Sequence, residues 1–131
     1  MSTTREVVEL TGGPEIEVEH LDVVNSHARA DRRMREDALD SLPFHHHVCY
    51  EIVRRRGRLR SHEFHERYTA VVEAVYDGRD QTPICRRDRR TKLQKLVDYD
   101  LLGREGEGPG REYWPQDASI ASPLDLTVPV P

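Results

Sequence analysis

With 131 residues, of which 36% are hydrophobic and 34% charged, the chain has room for one small domain with a thin core, which excludes a large catalytic fold. Its net charge is -4, and all but Lys92 and Lys95 of its 20 basic residues are Arg, a bias that fits a GC-rich or salt-adapted microbe. Two cysteines, Cys49 and Cys85, are too few for a disulfide framework, and there is no signal peptide or long apolar run, so a reduced, cytoplasmic setting without a membrane partner is expected.

In chain order, residues 1–16 read as an acidic N-terminal segment. Val7, Val8 and Leu10 suit one helical turn that Gly12, Gly13 and Pro14 would end. Residues 17–42 read as a long connector helix stopped by Pro43. Val18, Leu21, Val24 and Ala28, then Ala38, Leu39 and Leu42, keep helical spacing, while the middle is charged all round, as in a helix that bridges two packed regions. A second helix, from about Phe44 to Arg56, carries Phe44, Val48 and Ile52 on one stripe, with Cys49 or Val53 beside it, and Gly57 ends it. Its last three residues, Arg54, Arg55 and Arg56, suit the negative end of the helix dipole.

The third helix begins after Ser61 as N-cap and sets Phe64, Tyr68, Val71, Val72 and Val75 on a core stripe. The fourth is expected from near Pro83, capped by Thr82, to about Tyr99. At about 100° per residue, turning Leu93, Leu96 and Val97 inward turns Arg87, Thr91, Gln94 and Lys95 outward. Arg90 and Lys92 then flank the edge, and Arg86 and Arg89 fall on the inner side. Two short strands follow, Leu101 to Glu105 and Arg111 to Pro115, joined by a glycine-rich turn. Residues 116–131 contain Pro123, Pro129 and Pro131 and read as an extended or disordered tail. The fold class is mainly α with a small β-hairpin, a winged helix-turn-helix preceded by a connector helix, with the winged helix at 43–115.

The chemistry concentrates in the fourth helix and the hairpin. Arg86 to Lys95 holds four Arg and two Lys against one Asp, a local +5 in an acidic chain, which calls for an anionic partner. A basic helix followed by a hairpin is how a winged helix-turn-helix meets double-stranded DNA. The candidate DNA-binding residues are Arg86, Arg87, Arg90, Thr91, Gln94 and Lys95 on the helix, and Arg104 and Arg111 on the wing. A solvated basic face that pairs with the acidic N-terminal segment is the plainer alternative. The histidines His45, His46, His47, His62 and His65, with Cys49, invite a metal reading, but three adjacent His on a helix diverge too far to converge on one ion, and no metal site is expected. The wing glycines lack the following helix that a phosphate cradle needs, and Cys85 has no evident acid or base partner, so neither catalysis nor a cofactor is expected.

Residues 27–103 resemble the C-terminal region of archaeal replication initiators of the family that includes the origin recognition complex and cell-division-control ATPases. The likeness rests on ARADRRMR at 28–35, Leu42-Pro43, the third helix around Tyr68, PICRRDRR at 83–90 and Leu101-Leu102-Gly103. It implies the last helix of an ATPase lid entering a winged helix. The sequence departs from the family in having no G-x-x-x-x-G-K-[ST] run and no acidic Walker B strand, and in carrying His45-His46-His47 before the first winged-helix core residues. The resemblance therefore implies a relative without the ATPase core, which does not bind nucleotide. The expected function is non-catalytic double-stranded DNA binding at the nucleoid, in replication initiation or transcriptional regulation, with a homodimer allowed. The alternative is a protein–protein interaction or dimerisation module that does not bind DNA.

Overall fold

The computed structural model of the chain describes residues 12–124 and 126, with side chains from residue 26 onward. The elements are α1 (Gly12–Asp40), α2 (Phe44–Arg56), β1 (Leu59–Arg60), α3 (Ser61–Tyr76), α4 (Arg86–Asp98), β2 (Leu102–Glu105) and β3 (Glu112–Pro115), with a 3-10 turn at Gly108–Gly110. The protein is mainly helical with a small antiparallel sheet, an arrangement consistent with a winged-helix-like fold.

The chain divides into two units, residues up to Met34 and residues from Arg35. In the first, the described side chains at 26–34 are exposed apart from half-buried Arg32. Gly12, Gly13 and Pro14, read from the sequence as breakers, lie within α1. The turn expected around Val7 to Leu10 lies outside the described residues.

The second unit is built around α2, which runs from Phe44 to Arg56 as its bounding Pro43 and Gly57 predict. Gly57 has φ 95°, which only glycine adopts cheaply, and its N–H closes the helix on the Val53 carbonyl at 2.8 Å. The expected single stripe is too narrow, because every residue from His46 to Val53 is buried, while Phe44 is only half-buried. The helix is covered by α3, α4 and β3, and Val48, Cys49, Ile52 and Val53 meet Phe64, Tyr68 and Val71 of α3, Leu93 and Leu96 of α4, and Leu101, Leu102 and Tyr113 in one core. Leu39, from the last turns of α1, joins it.

Two expected starts shift. Ser61 is the first residue of α3, not its cap, and the Arg60 N–H is held by Glu63 Oε1 at 2.7 Å. Helix α4 begins at Arg86, three residues after Pro83, because the Ile84 N–H is taken by the Tyr68 hydroxyl at 3.1 Å and 81–85 stay outside the helix. The sheet has an unanticipated third strand, in the order β1-β3-β2, with Leu59 opposite Tyr113 and Arg60 opposite Glu112. On the other side Gly103 faces Trp114, and a Cβ at 103 would overlap the indole.

After β3 the described chain lies against α2. The Tyr50 hydroxyl donates to the Ile120 carbonyl at 2.5 Å, the Ser122 N–H donates to Glu51 Oε2 at 2.9 Å, and Ile120 and Leu126 are buried. Glu51 is 2% exposed and accepts from Arg54 at 2.6 and 2.8 Å and from Arg55 at 2.8 Å. Burial alone would raise its carboxyl, but hydrogen bonds from Arg54, Ser122 and Arg55 hold it below the usual carboxylate value.

Candidate nucleic-acid interface

Helix α4 owes its orientation to two side chains. Leu93 and Leu96 are fully buried, and they fix which face of a highly charged helix is left outside. Arg87, Thr91 and Lys95 are exposed, and the Arg87 side chain is 83% accessible with only a 3.9 Å approach to Asp88. The Thr91 hydroxyl donates back to the Arg87 carbonyl at 3.2 Å, and Lys95 Nζ stands 5.6 Å from the centroid of the exposed Tyr99 ring. Arg86 and Arg90 are exposed as well, whereas Arg89 turns inward. Its guanidinium stacks over Tyr68 at 4.2 Å and donates to the Ile84 carbonyl and to His65 Nδ1, both at 3.1 Å. The inner placement expected for Arg86 and Arg89 therefore holds for Arg89 alone, since α4 starts only at Arg86.

The wing is tied to α4 at one point and to α3 at another. Arg104 donates to Gln94 Oε1 at 2.6 Å, and Gln94 in turn donates to Asp98 Oδ1 at 2.9 Å, so this pair joins helix and wing. At the turn, the Arg111 carbonyl accepts from the Ser61 N–H at 2.6 Å, and His62 Nδ1 donates to the Pro109 carbonyl at 3.1 Å. Arg111 itself is half-buried, with one long donation to the Tyr113 hydroxyl at 3.4 Å. These contacts draw Arg86, Arg90 and Arg111 to the rim of one cleft of about 120 Å³ whose floor includes Ser61 and His65. Of the predicted residues, Arg86, Arg90 and Arg111 thus converge, Gln94 and Arg104 pair, and Arg87, Thr91 and Lys95 stand apart on the open face.

Sequence reasoning passed over His65 as anything but a metal candidate. Burial first, then the charges of Arg86, Arg89 and Arg90, push its pKa down to about 4, so it is a neutral imidazole under ordinary conditions. The signal available was Ser61 and His65 one helical turn apart at the start of α3. His45 and His47 are held by hydrogen bonds within the fold. The Tyr76 hydroxyl donates to His45 Nδ1 at 2.8 Å, and His47 donates from Nε2 to the Leu42 carbonyl at 2.9 Å while accepting from Ser122 at 2.7 Å. Among the described residues no group of three or more His, Cys, Asp or Glu is placed to hold a metal ion. Burial raises the Cys49 thiol to about 12, which makes it inert. Among the described residues no helix is long and apolar enough to cross a membrane.

The chain is similar to the ORC1-type DNA replication protein 9 of Halobacterium salinarum, with 30% identity over 100 residues that cover 76% of this chain and 26% of that protein. It thus spans about a quarter of the length of that relative. The similarity supports a relationship to origin-recognition-type proteins. No family model matches the chain, and no solved structure matches it.

Proposed function

We propose that this chain binds double-stranded DNA without catalysing a reaction, with α4 in the major groove and the β2–β3 wing on the flanking backbone. The supporting observation is the outer face of α4, where Arg86, Arg87, Arg90 and Lys95 are exposed beside the wing and, Arg87 to Asp88 apart, have no carboxylate within 4 Å among the described residues. Charges left unpaired in a chain with 24 acidic residues are available to phosphates. On this reading Arg87, Thr91 and Lys95 face base edges and near phosphates, Gln94 and Arg104 set the wing against the helix, and Arg86, Arg90 and Arg111 take the backbone on the wing side.

The named relative is a replication protein, and the resemblance of residues 27–103 to the lid helix and winged helix of archaeal initiators points the same way. We assign residues 17–42 as the connector, 43–115 as the winged helix and 116–131 as a tail. The role is in replication initiation or transcriptional control at the nucleoid, without nucleotide. Equilibrium binding of a fluorescent duplex pool at low salt tests the reading. Saturable binding, weakened by Arg87→Ala with Lys95→Ala, is expected. Absence of any binding, together with self-association in sedimentation, would replace it with an interaction module.

A further inference from the structure

Among the cleft's polar side chains two buried donor atoms lack a partner. His65 is 2% exposed, and its Nε2 has no hydrogen-bond partner among the described atoms; the same is true of Arg111 Nε. The state of His65 follows from geometry. The Arg89 guanidinium can only donate, so Nδ1 is an acceptor, and the proton of the imidazole sits on Nε2. The cleft is lined by His65, whose Nε2–H is buried, by Arg111, whose Nε–H is buried, and by Ser61, Arg86 and Arg90, and no carboxylate lines it. It also lies at the N-terminal end of α3, a 16-residue helix whose dipole favours an anion there. A buried imidazole N–H left without an acceptor is costly, and converging donors make it worse unless an acceptor enters.

We propose that the cleft between the start of α3, the first turns of α4 and the wing turn is a seat for one phosphate group, in which His65 and Arg111 donate from below and Arg86 and Arg90 close over it. The proposal rests on the DNA-binding reading in one respect, that the phosphate is a backbone phosphodiester of bound duplex; free phosphate shares the chemistry. The seat would fix the register of α4 in the groove through a buried neutral donor, in contrast to the mobile contacts of exposed arginines.

The test follows the His65 Nε2–H resonance while inorganic phosphate, and separately duplex DNA, is titrated at constant ionic strength. Both are expected to move it saturably. Arg86→Ala with Arg111→Ala is expected to weaken phosphate binding about tenfold or more and to lower the salt slope of duplex binding by about 2, one per phosphate-contacting arginine. Arg87→Ala with Lys95→Ala is expected to leave the phosphate titration unchanged. A response to phosphate but not to duplex would support the seat and assign it to the free anion, overturning the backbone assignment alone. Duplex binding with a His65 resonance that neither duplex nor phosphate moves would overturn the seat and leave the DNA reading intact. No response to phosphate in the wild-type chain, or an equal response in the Arg86/Arg111 variant, would overturn the proposal outright.

Discussion

Arginine stands in two settings in this protein, paired with acid in one region and exposed without it in another. At the end of α2 and the β1 edge Arg54, Arg55 and Arg58 are paired. Arg54 and Arg55 close on Glu51, and Arg58 bonds Glu112 at 2.6 Å and Glu105 at 3.3 Å while stacking over Trp114 at 4.4 Å. Along α4 they are mostly unpaired and exposed, and only Arg89 is turned into the structure. Both regions look alike in sequence, as basic runs of similar density. The difference is the supply of acid. Glu51 stands three and four residues before Arg54 and Arg55, on the same helical face, whereas α4 offers only Asp88 in its first turn and Asp98 at its end. Paired arginines hold this fold together, and the unpaired ones are those assigned to DNA in the proposed function.

The comparison can be broken most forcefully at Glu51. Glu51→Ala leaves two guanidinium groups without their buried partner and frees the tail's Ser122 N–H, so a loss of about 3–5 kcal/mol in denaturant unfolding is expected. An unchanged midpoint would mean that the pair contributes nothing. Acid acts on the same region. Burial leads the depression of His46 and His65 to about 4, and His45 and His47 are lowered as well. A histidine depressed in the folded state binds fewer protons than in the unfolded chain below its ordinary value of 6.5. Stability should therefore be full above that value and fall as pH drops toward 4, by up to about 1.4 kcal/mol per pH unit for each group. Glu51, held below its normal value, adds a further loss at the acid end as pH falls through its folded pKa. A flat profile between pH 7 and 4 would contradict this assignment.

Smaller effects are expected at the sheet. Gly103→Ala forces the Trp114 indole off the strand and disturbs its stack with Arg58, which should cost about 1–3 kcal/mol in thermal or chemical unfolding. The unpaired face should be the least sensitive. Arg87→Ala with Lys95→Ala should change stability by no more than about 0.5 kcal/mol, since neither side chain holds a strong partner within the protein.

Much of this was legible in the sequence wherever local chemistry decides. The bounds of α2 follow from Pro43 and Gly57, the core stripe of α3 follows from its spacing, and the outward set on α4 follows from Leu93 and Leu96. Long-range contacts decided the rest. The late start of α4 depends on the Tyr68 hydroxyl capturing the Ile84 N–H, 16 residues apart. Strand β1 is only Leu59 and Arg60, too short for any periodicity, and exists because β3 pairs with it. The contacts of the stretch after β3 depend on partners about 70 residues away, on Tyr50, Glu51 and His47, which carry no pattern of their own. The cleft was illegible for the same reason. Arg86, Arg90 and Arg111 were each named, but nothing in their spacing says that the wing turn brings Arg111 to the start of α3.

The proposed contact of the unpaired face of α4 and its wing with the phosphates of duplex DNA is measured most directly by the salt dependence of binding. A plot of log affinity against log salt for the wild-type chain should be steep and linear. Its slope should fall by about 2 in Arg87→Ala with Lys95→Ala, while unfolding stays as in the wild type. No affinity for duplex at low salt, or a slope that these substitutions leave untouched, would contradict the account.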